Sequence, residues 1–372
     1  MDESRKVPSD PPFMRNVGLL MTYHCQAACT HCIIRAGPNR HEEVTIEDAR
    51  NWISQIASYR NRYVCVLSLT GGEPFLNVKL LKEVMEFADA ANLYISITTN
   101  GAWAISRQYA LGLLRDLPRI CFLSISTDLY HQKYIPFETV KNAVWAAQEC
   151  NIPFYLSLIT ENKKDPEYQK IYSEIVELTA PENILTGITF PVGRASQIKA
   201  QLKYPFRHEP PKGACQAASS PCIFPDGDVY GCIGPLVDMK HDHPLLLGNL
   251  SKSSVQDIFD HSETNVLLHA LRLWGPHHLI SMVKEAGLGE HLPEDYVAES
   301  VCSACYEMFS DPVVRDWLSH LEGDTELRRK VAYARLYYLQ EPGMLEFADV
   351  SSQIPATRKV TATSPVSLPI LQ

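Results

Sequence analysis

The chain has 372 residues, 45% of them hydrophobic and 21% charged, with a formal net charge of -9. That is ordinary globular composition, long enough for one large α/β domain and a smaller appendage. The acidic balance and the absence of a Lys/Arg run exclude a protein built to grip a nucleic-acid backbone. No stretch reads as a secretory signal or membrane span, so the eleven cysteines point to a reducing cytoplasm, where clustered thiols bind metal more often than they pair.

In chain order, residues 1–12 read as a disordered leader, and Val17 to Tyr23 as a buried strand. The loop after it carries Cys25-Gln-Ala-Ala-Cys29-Thr-His-Cys32. Thiols spaced C-x3-C-x2-C on one loop can converge on a single soft metal centre, zinc or iron–sulfur. Three ligands are one short of a closed four-Cys site, and a 4Fe–4S cluster held this way keeps one iron open. The bland alternatives are part of a structural zinc site, or cysteines that are simply buried.

Thr45-Ile-Glu-Asp48 opens a helix to about Tyr59, and Tyr63 to Leu69 is a continuous apolar strand of the kind a two-sided parallel sheet requires. The Gly-rich turn Thr70-Gly-Gly-Glu-Pro74 follows, then a helix capped by Asn77 and running to about Ala91. Leu93 to Thr99 is the third strand, leading into Asn100-Gly101, and Ser106 to Arg115 is helical. Ile120 to Ser126 is the fourth strand, running into Thr127-Asp128-Leu-Tyr130-His131. A helix from about Pro136 to Cys150 precedes the fifth strand, Pro153 to Thr160. Asp165-Pro166 caps the next helix. Ile184 to Phe190 is the sixth strand, followed by Gly193-Arg194-Ala195.

Six strand–helix alternations in about 180 residues predict parallel βαβ units, as an open doubly wound sheet or an incomplete barrel. Every chemically capable residue sits just past a strand end, the face that carries the site in such folds. Lys203 to Lys212 reads as a linker. Cys215, Cys222 and Cys232 then surround a hairpin signal at Phe224 to Tyr230. Short helices fill residues 251–300, Cys302-Ser-Ala-Cys305 closes this part, and helices are expected at about 311–321 and 325–341. The Pro/Ser/Thr-rich end reads as a disordered tail. Expected boundaries are therefore a leader at 1–12, a core barrel at 13–202, a cysteine-rich domain with helical extension at 203–345, and a tail at 346–372.

The Cys25-x3-Cys29-x2-Cys32 loop, the Gly71-Gly72-Glu73-Pro74 turn and the six βα units together resemble the radical SAM superfamily over about residues 14–200. The resemblance implies a partial (β/α)6 TIM barrel in which Cys25, Cys29 and Cys32 bind a 4Fe–4S cluster whose fourth iron chelates S-adenosyl-L-methionine. Reductive cleavage then gives methionine and a 5′-deoxyadenosyl radical that abstracts a substrate hydrogen. An external one-electron reductant such as flavodoxin or ferredoxin is implied. His31 stands where the family often has an aromatic near the adenine, and Gly71 to Pro74 match the segment receiving the methionyl amino group. By the same resemblance Ser126, Asp128, Thr99, Asn100 and Arg194 fall beside the cofactor. Against that, Asn100-Gly101 is also an ordinary turn, and Arg194 a candidate for a surface ion pair.

Cys215-x11-Gly227-x4-Cys232 resembles the first half of the SPASM pattern of auxiliary-cluster domains, and the shortage of later cysteines fits its shorter relative, the twitch domain. That implies one auxiliary 4Fe–4S cluster on Cys215, Cys232, Cys302 and Cys305, with Cys222 a substitute ligand or a spare thiol. A zinc ribbon is the alternative for this set. Cys65, Cys121 and Cys150 read as packing residues.

The expected reaction is oxidation or another radical modification of a small molecule of amino-sugar type. The alternative is maturation of a ribosomally made peptide by cross-linking or epimerisation, with Cys222 as hydrogen donor. With the first strand starting near Val17, no room is expected for an N-terminal peptide-recognition domain, which tilts the reading toward the small molecule. Tyr130 and His131 are expected at the substrate pocket as catalytic candidates, with His241, His243, His277 and His278 as candidate general bases. From another class altogether, the chain would be a non-catalytic iron–sulfur or zinc protein, which needs no methionine-binding turn.

Overall fold

The computed structural model describes residues 13–344; the expected leader and tail lie outside them. Six strands alternate with helices: β1 (Asn16–Leu20), α1 (Ile46–Ser58), β2 (Val66–Thr70), α2 (Val78–Ala90), β3 (Tyr94–Thr99), α3 (Arg107–Asp116), β4 (Ile120–Ser126), α4 (Phe137–Glu149), β5 (Phe154–Thr160), α5 (Pro166–Val176) and β6 (Ile184–Ile188). Thr45, Asn77, Ser106 and Asp165 each accept a first-turn backbone N–H, which fixes where α1, α2, α3 and α5 begin. All five pairings from β1 to β6 are parallel.

These strands are less uniformly apolar than a sheet covered on both faces requires. Leu67, Leu69, Ile95 and Ile97 are buried among the aliphatic core. The alternate positions, Ser68, Thr70, Ser96 and Thr98, point the other way, and Ser68 Oγ meets Ser96 Oγ at 2.6 Å across the strands. The inner face of these strands is thus hydroxyl-rich, and Thr70 and Thr98 on it reach the cavity at the strand ends.

β1 stops at Leu20 rather than Tyr23. Beyond it Thr22 bridges to Glu43 and Tyr23 N–H donates to Glu42 O, so the chain has left the sheet.

The remaining elements are β7 (Phe206–Arg207), β8 (Cys222–Ile223), β9 (Asp228–Tyr230), β10 (Leu246–Asn249), α6 (Val255–Ser262), α7 (Val266–Leu273), α8 (Pro276–Glu285), β11 (Tyr296–Val297), α9 (Val301–Ser310), α10 (Pro312–His320) and α11 (Thr325–Tyr338). The expected hairpin is present, but it does not stand apart. β8 lies parallel to β1, with Gly18 opposite Cys222, so the sheet runs β10-β9-β8-β1-β2-β3-β4-β5-β6 without closing. A Cβ at residue 18 would come within 2.9 Å of Cys222 Sγ, which is why glycine stands there. The expected linker at 203–212 contains β7, which pairs antiparallel with β11.

Among the described residues no helix is long and apolar enough to cross a membrane.

Candidate active site

The loop from Thr22 to Gly37 leaves the C-terminal end of β1 and is tied down along its length. Cys25 N–H donates to Gly37 O at 3.2 Å, Gly37 N–H to Tyr23 O, and Cys32 N–H to Cys29 O. The turn after β2 packs on its base: Gly72 N–H donates to Thr22 O at 2.6 Å and Glu73 N–H to His24 O at 2.9 Å. A side chain on Gly71 or Gly72 would overlap the backbone of residues 22–24. These glycines therefore let one loop of the chain approach another, before any question of a cofactor arises.

Glu73 does not face the cavity. It is buried, accepting from Thr99 Oγ1 at 2.8 Å, from the backbone N–H of Asn100 at 2.7 Å and from that of Phe75 at 3.1 Å. Burial pushes its carboxyl up to about 7 against the pull of these three donors. It fastens the end of β3 to the turn after β2.

Arg194 does not pair with a surface acid. Its guanidinium donates to Cys29 O at 2.6 Å and to Ala36 O, and its backbone N–H donates to Cys32 O at 3.0 Å. It clamps the cysteine loop from the segment after β6.

A cavity of about 270 Å³ opens against this loop. Of the residues expected at the site, Cys25, Cys29, Cys32, His31, Gly71, Gly72, Thr99, Asn100, Ser126 and His131 line it. Glu73, Pro74, Asp128, Tyr130 and Arg194 stand behind that lining. Thr189 and Phe190 also line it; the sequence places them inside the sixth strand, but β6 ends at Ile188 and leaves both at the strand-end rim.

Behind the wall Asp128 is almost fully buried, with His131 Nδ1 at 2.9 Å and His31 Nε2 at 3.6 Å from its Oδ2. Burial pushes Asp128 up, but the two imidazoles outweigh it and hold the carboxyl at about 2. Burial pulls His131 down, and Asp128 reverses that to leave it raised. His31, stacked on Tyr130 at 4.6 Å, is carried down to about 4 by burial. Tyr130 donates to Glu161, a partner the sequence did not suggest.

Burial pushes Cys25 up to about 11 and Cys29 up to about 12. Two sulfurs nevertheless face N–H donors: Asn100 Nδ2 is 3.6 Å from Cys25 Sγ and the Ala36 N–H is 3.3 Å from Cys32 Sγ. Donors aimed at sulfur suit thiolates bound to a metal.

The other cysteines sort into two groups. Burial carries Cys232 and Cys302 up to about 12 and Cys305 well above its usual value. Cys215 adds to all three shifts and Cys302 to those of Cys232 and Cys305, so the four thiols lie within reach of one another's charge. Cys222 sits instead on β8 with Leu20, Phe224 and Tyr230, its thiol pushed up to about 12 by burial. His243 is buried against Tyr230, and burial pulls it down to about 4. His277 and His278 lie on α8, and the side chain of His241 is outside the described residues.

Residues 19–172 match the family model described as Radical SAM superfamily. This segment is a radical SAM domain. A relative from Bacillus subtilis (strain 168), "Putative peptide biosynthesis protein YydG", is 24% identical over 302 residues, covering 80% of this chain and 93% of that one. An uncharacterized protein of Methanocaldococcus jannaschii is 22% identical over 174 residues, 44% of this chain and 59% of its own length. Among solved structures, BtrN in complex with AdoMet and 2-DOIA aligns with a TM-score of 0.40 and 12% identity, covering 70% of this chain and 87% of that one. TsrM from Kitasatospora setae aligns with a TM-score of 0.39 and 14% identity, covering 86% and 61%.

Proposed function

We propose that this protein is a radical SAM enzyme that modifies a ribosomally made peptide by epimerising one residue. The observation that carries the radical reading is the clamped trio of thiols, two of them buried, facing the cavity at the strand ends. With its 4Fe–4S cluster and S-adenosylmethionine bound, such a site supplies a carbon radical that removes one hydrogen atom from the substrate. Cys25, Cys29 and Cys32 would hold the cluster, and Gly71, Gly72, Thr99, Asn100, Ser126 and His131 would border the cofactor. Cys215, Cys232, Cys302 and Cys305 would hold an auxiliary 4Fe–4S cluster.

The name of the Bacillus subtilis relative supports a peptide over the amino-sugar that the sequence favoured. Cys222 supports epimerisation. It stands apart from the four grouped thiols, on the strand that flanks β1, and burial keeps it protonated near neutral pH. A protonated thiol gives its hydrogen atom to a substrate carbon radical, forming a C–H bond and leaving a thiyl radical. One electron from an external one-electron reductant and one proton from solvent restore the thiol.

The test is turnover in heavy water with a precursor peptide encoded beside the gene. A single deuterium in the product, lost in Cys222→Ala while 5′-deoxyadenosine still forms, is expected. Loss of two hydrogens without deuterium overturns epimerisation, and formation of 5′-deoxyadenosine driven by amino-sugars but not by peptides overturns the peptide substrate.

A further inference from the structure

We infer that Asn100 is a positioning residue that sets the reduction potential of the cluster on Cys25, Cys29 and Cys32 by donating its side-chain N–H to the Cys25 sulfur. The inference rests on the cluster-binding reading above and adds to it the group that tunes the metal.

The orientation of the Asn100 amide is fixed by its neighbours. One of its terminal atoms receives the backbone N–H of Ala102 at 3.0 Å and Gln26 Nε2 at 3.0 Å. A backbone N–H only donates, so that atom is the oxygen. The nitrogen is therefore the atom 3.6 Å from Cys25 Sγ. The residue's own backbone N–H is held by Glu73 at 2.7 Å. Preceding it, Thr99 is held by Glu73 and by Trp103 Nε1, which donates to Thr99 Oγ1 at 3.0 Å. With 6% of its surface exposed, the side chain is a fixed dipole rather than a mobile polar group.

The protonated Cys25 thiol also faces Gln26 Oε1 at 3.8 Å. A metal-bound thiolate has no proton to give, which leaves the Asn100 N–H as its partner. Reduction adds negative charge to the sulfurs, and a donor aimed at one of them favours the reduced form. The corresponding donor to Cys32 is the backbone N–H of Ala36 and is common to any side chain there. Asn100 is thus the place where a change of side chain reaches the potential of this cluster.

The experiment is a redox titration of the anaerobically reconstituted full-length protein, following the EPR signal that responds to S-adenosylmethionine. Asn100→Leu keeps the size and removes the donor; Asn100→Asp also adds negative charge. Both are expected to lower the midpoint at wild-type iron content, the aspartate more. Leucine is expected to cut the reduced-to-oxidised ratio at the wild-type midpoint roughly tenfold, which is about 59 mV for one electron. Unchanged midpoints in both variants overturn the inference. Should either variant lose iron, Gln26→Leu leaves residue 100 intact and removes one of the two donors that hold its oxygen, the Ala102 N–H remaining. A smaller fall is expected there, and no fall overturns the inference. A wild-type protein with no reducible cluster overturns the cofactor reading itself.

Discussion

Arg194 gives the sharpest handle on the site, because one side chain ties the middle of the cysteine loop to its C-terminal end. Its guanidinium donates to Cys29 O and to Ala36 O, and Cys32, with Cys29 a proposed cluster ligand, lies between them in the chain. Hydrogen bonds from a charged donor contribute about 1.5–3 kcal/mol each. Losing both in Arg194→Ala costs about 3 kcal/mol at the lower bound, fitting for a half-buried group whose carbonyls water partly re-solvates. The backbone bond to Cys32 O survives the change. If the loop must open to lose iron, 3 kcal/mol corresponds to roughly 100-fold faster loss. The assay is anaerobic release of iron from the reconstituted protein to a chelator, read as a first-order rate. Arg194→Lys, a point charge without the planar fork, should fall between the two. Equal rates in wild type and Arg194→Ala would show that the loop is held by other means.

Three further outcomes follow from the same structure. Glu73 has a folded pKa of about 7 against an ordinary 4.5, so its contribution to stability is fully present below pH 4.5 and disappears as pH rises through 7. Over that window the apo protein should lose about 3 kcal/mol that Glu73→Gln does not lose, and identical pH slopes in denaturant melts would refute this. Arg335 and Glu263 form an ion pair at 2.8 Å with side chains only 2% exposed, and Glu263 also receives the N–H of Phe13. Arg335→Ala strands a buried carboxylate and should cost about 3–5 kcal/mol; a melting temperature like that of wild type would contradict it. Cys305→Ala removes one of the four grouped thiols, so reconstituted iron should fall from about eight toward about four atoms per chain. Retention of the full count would assign the auxiliary site to other ligands.

The local grammar of this chain was readable. Thr45, Asn77, Ser106 and Asp165 start helices where a short polar side chain precedes an apolar periodicity, and Ile120–Ser126 is the strand its composition announces. The placing of the cysteine triplet on the loop after β1 and of the Gly71-Gly72 turn after β2 was readable for the same reason, since strand ends and close approach are properties of a few consecutive residues.

What the sequence withheld depends on residues far apart in it. The hairpin joins the barrel sheet because Gly18 leaves room for Cys222, a contact across about 200 residues that has no local signature. Glu73 looked like part of a cofactor turn, yet the ends of β2 and β3 together supply three donors behind the cavity wall. Likewise, spacing alone left Cys222 competing for a cluster position. Only the pairing of β8 with β1 sets it among Leu20, Phe224 and Tyr230 while the other four thiols gather elsewhere.

The central proposal is that S-adenosylmethionine is split at the thiol loop. The direct measurement is anaerobic reconstitution with iron and sulfide, followed by dithionite and S-adenosylmethionine, with 5′-deoxyadenosine and methionine quantified by mass spectrometry. Equal amounts of the two products are expected from the wild type and none from Cys29→Ala. Absence of 5′-deoxyadenosine from a wild-type protein carrying its full iron, under dithionite and under flavodoxin alike, would contradict it.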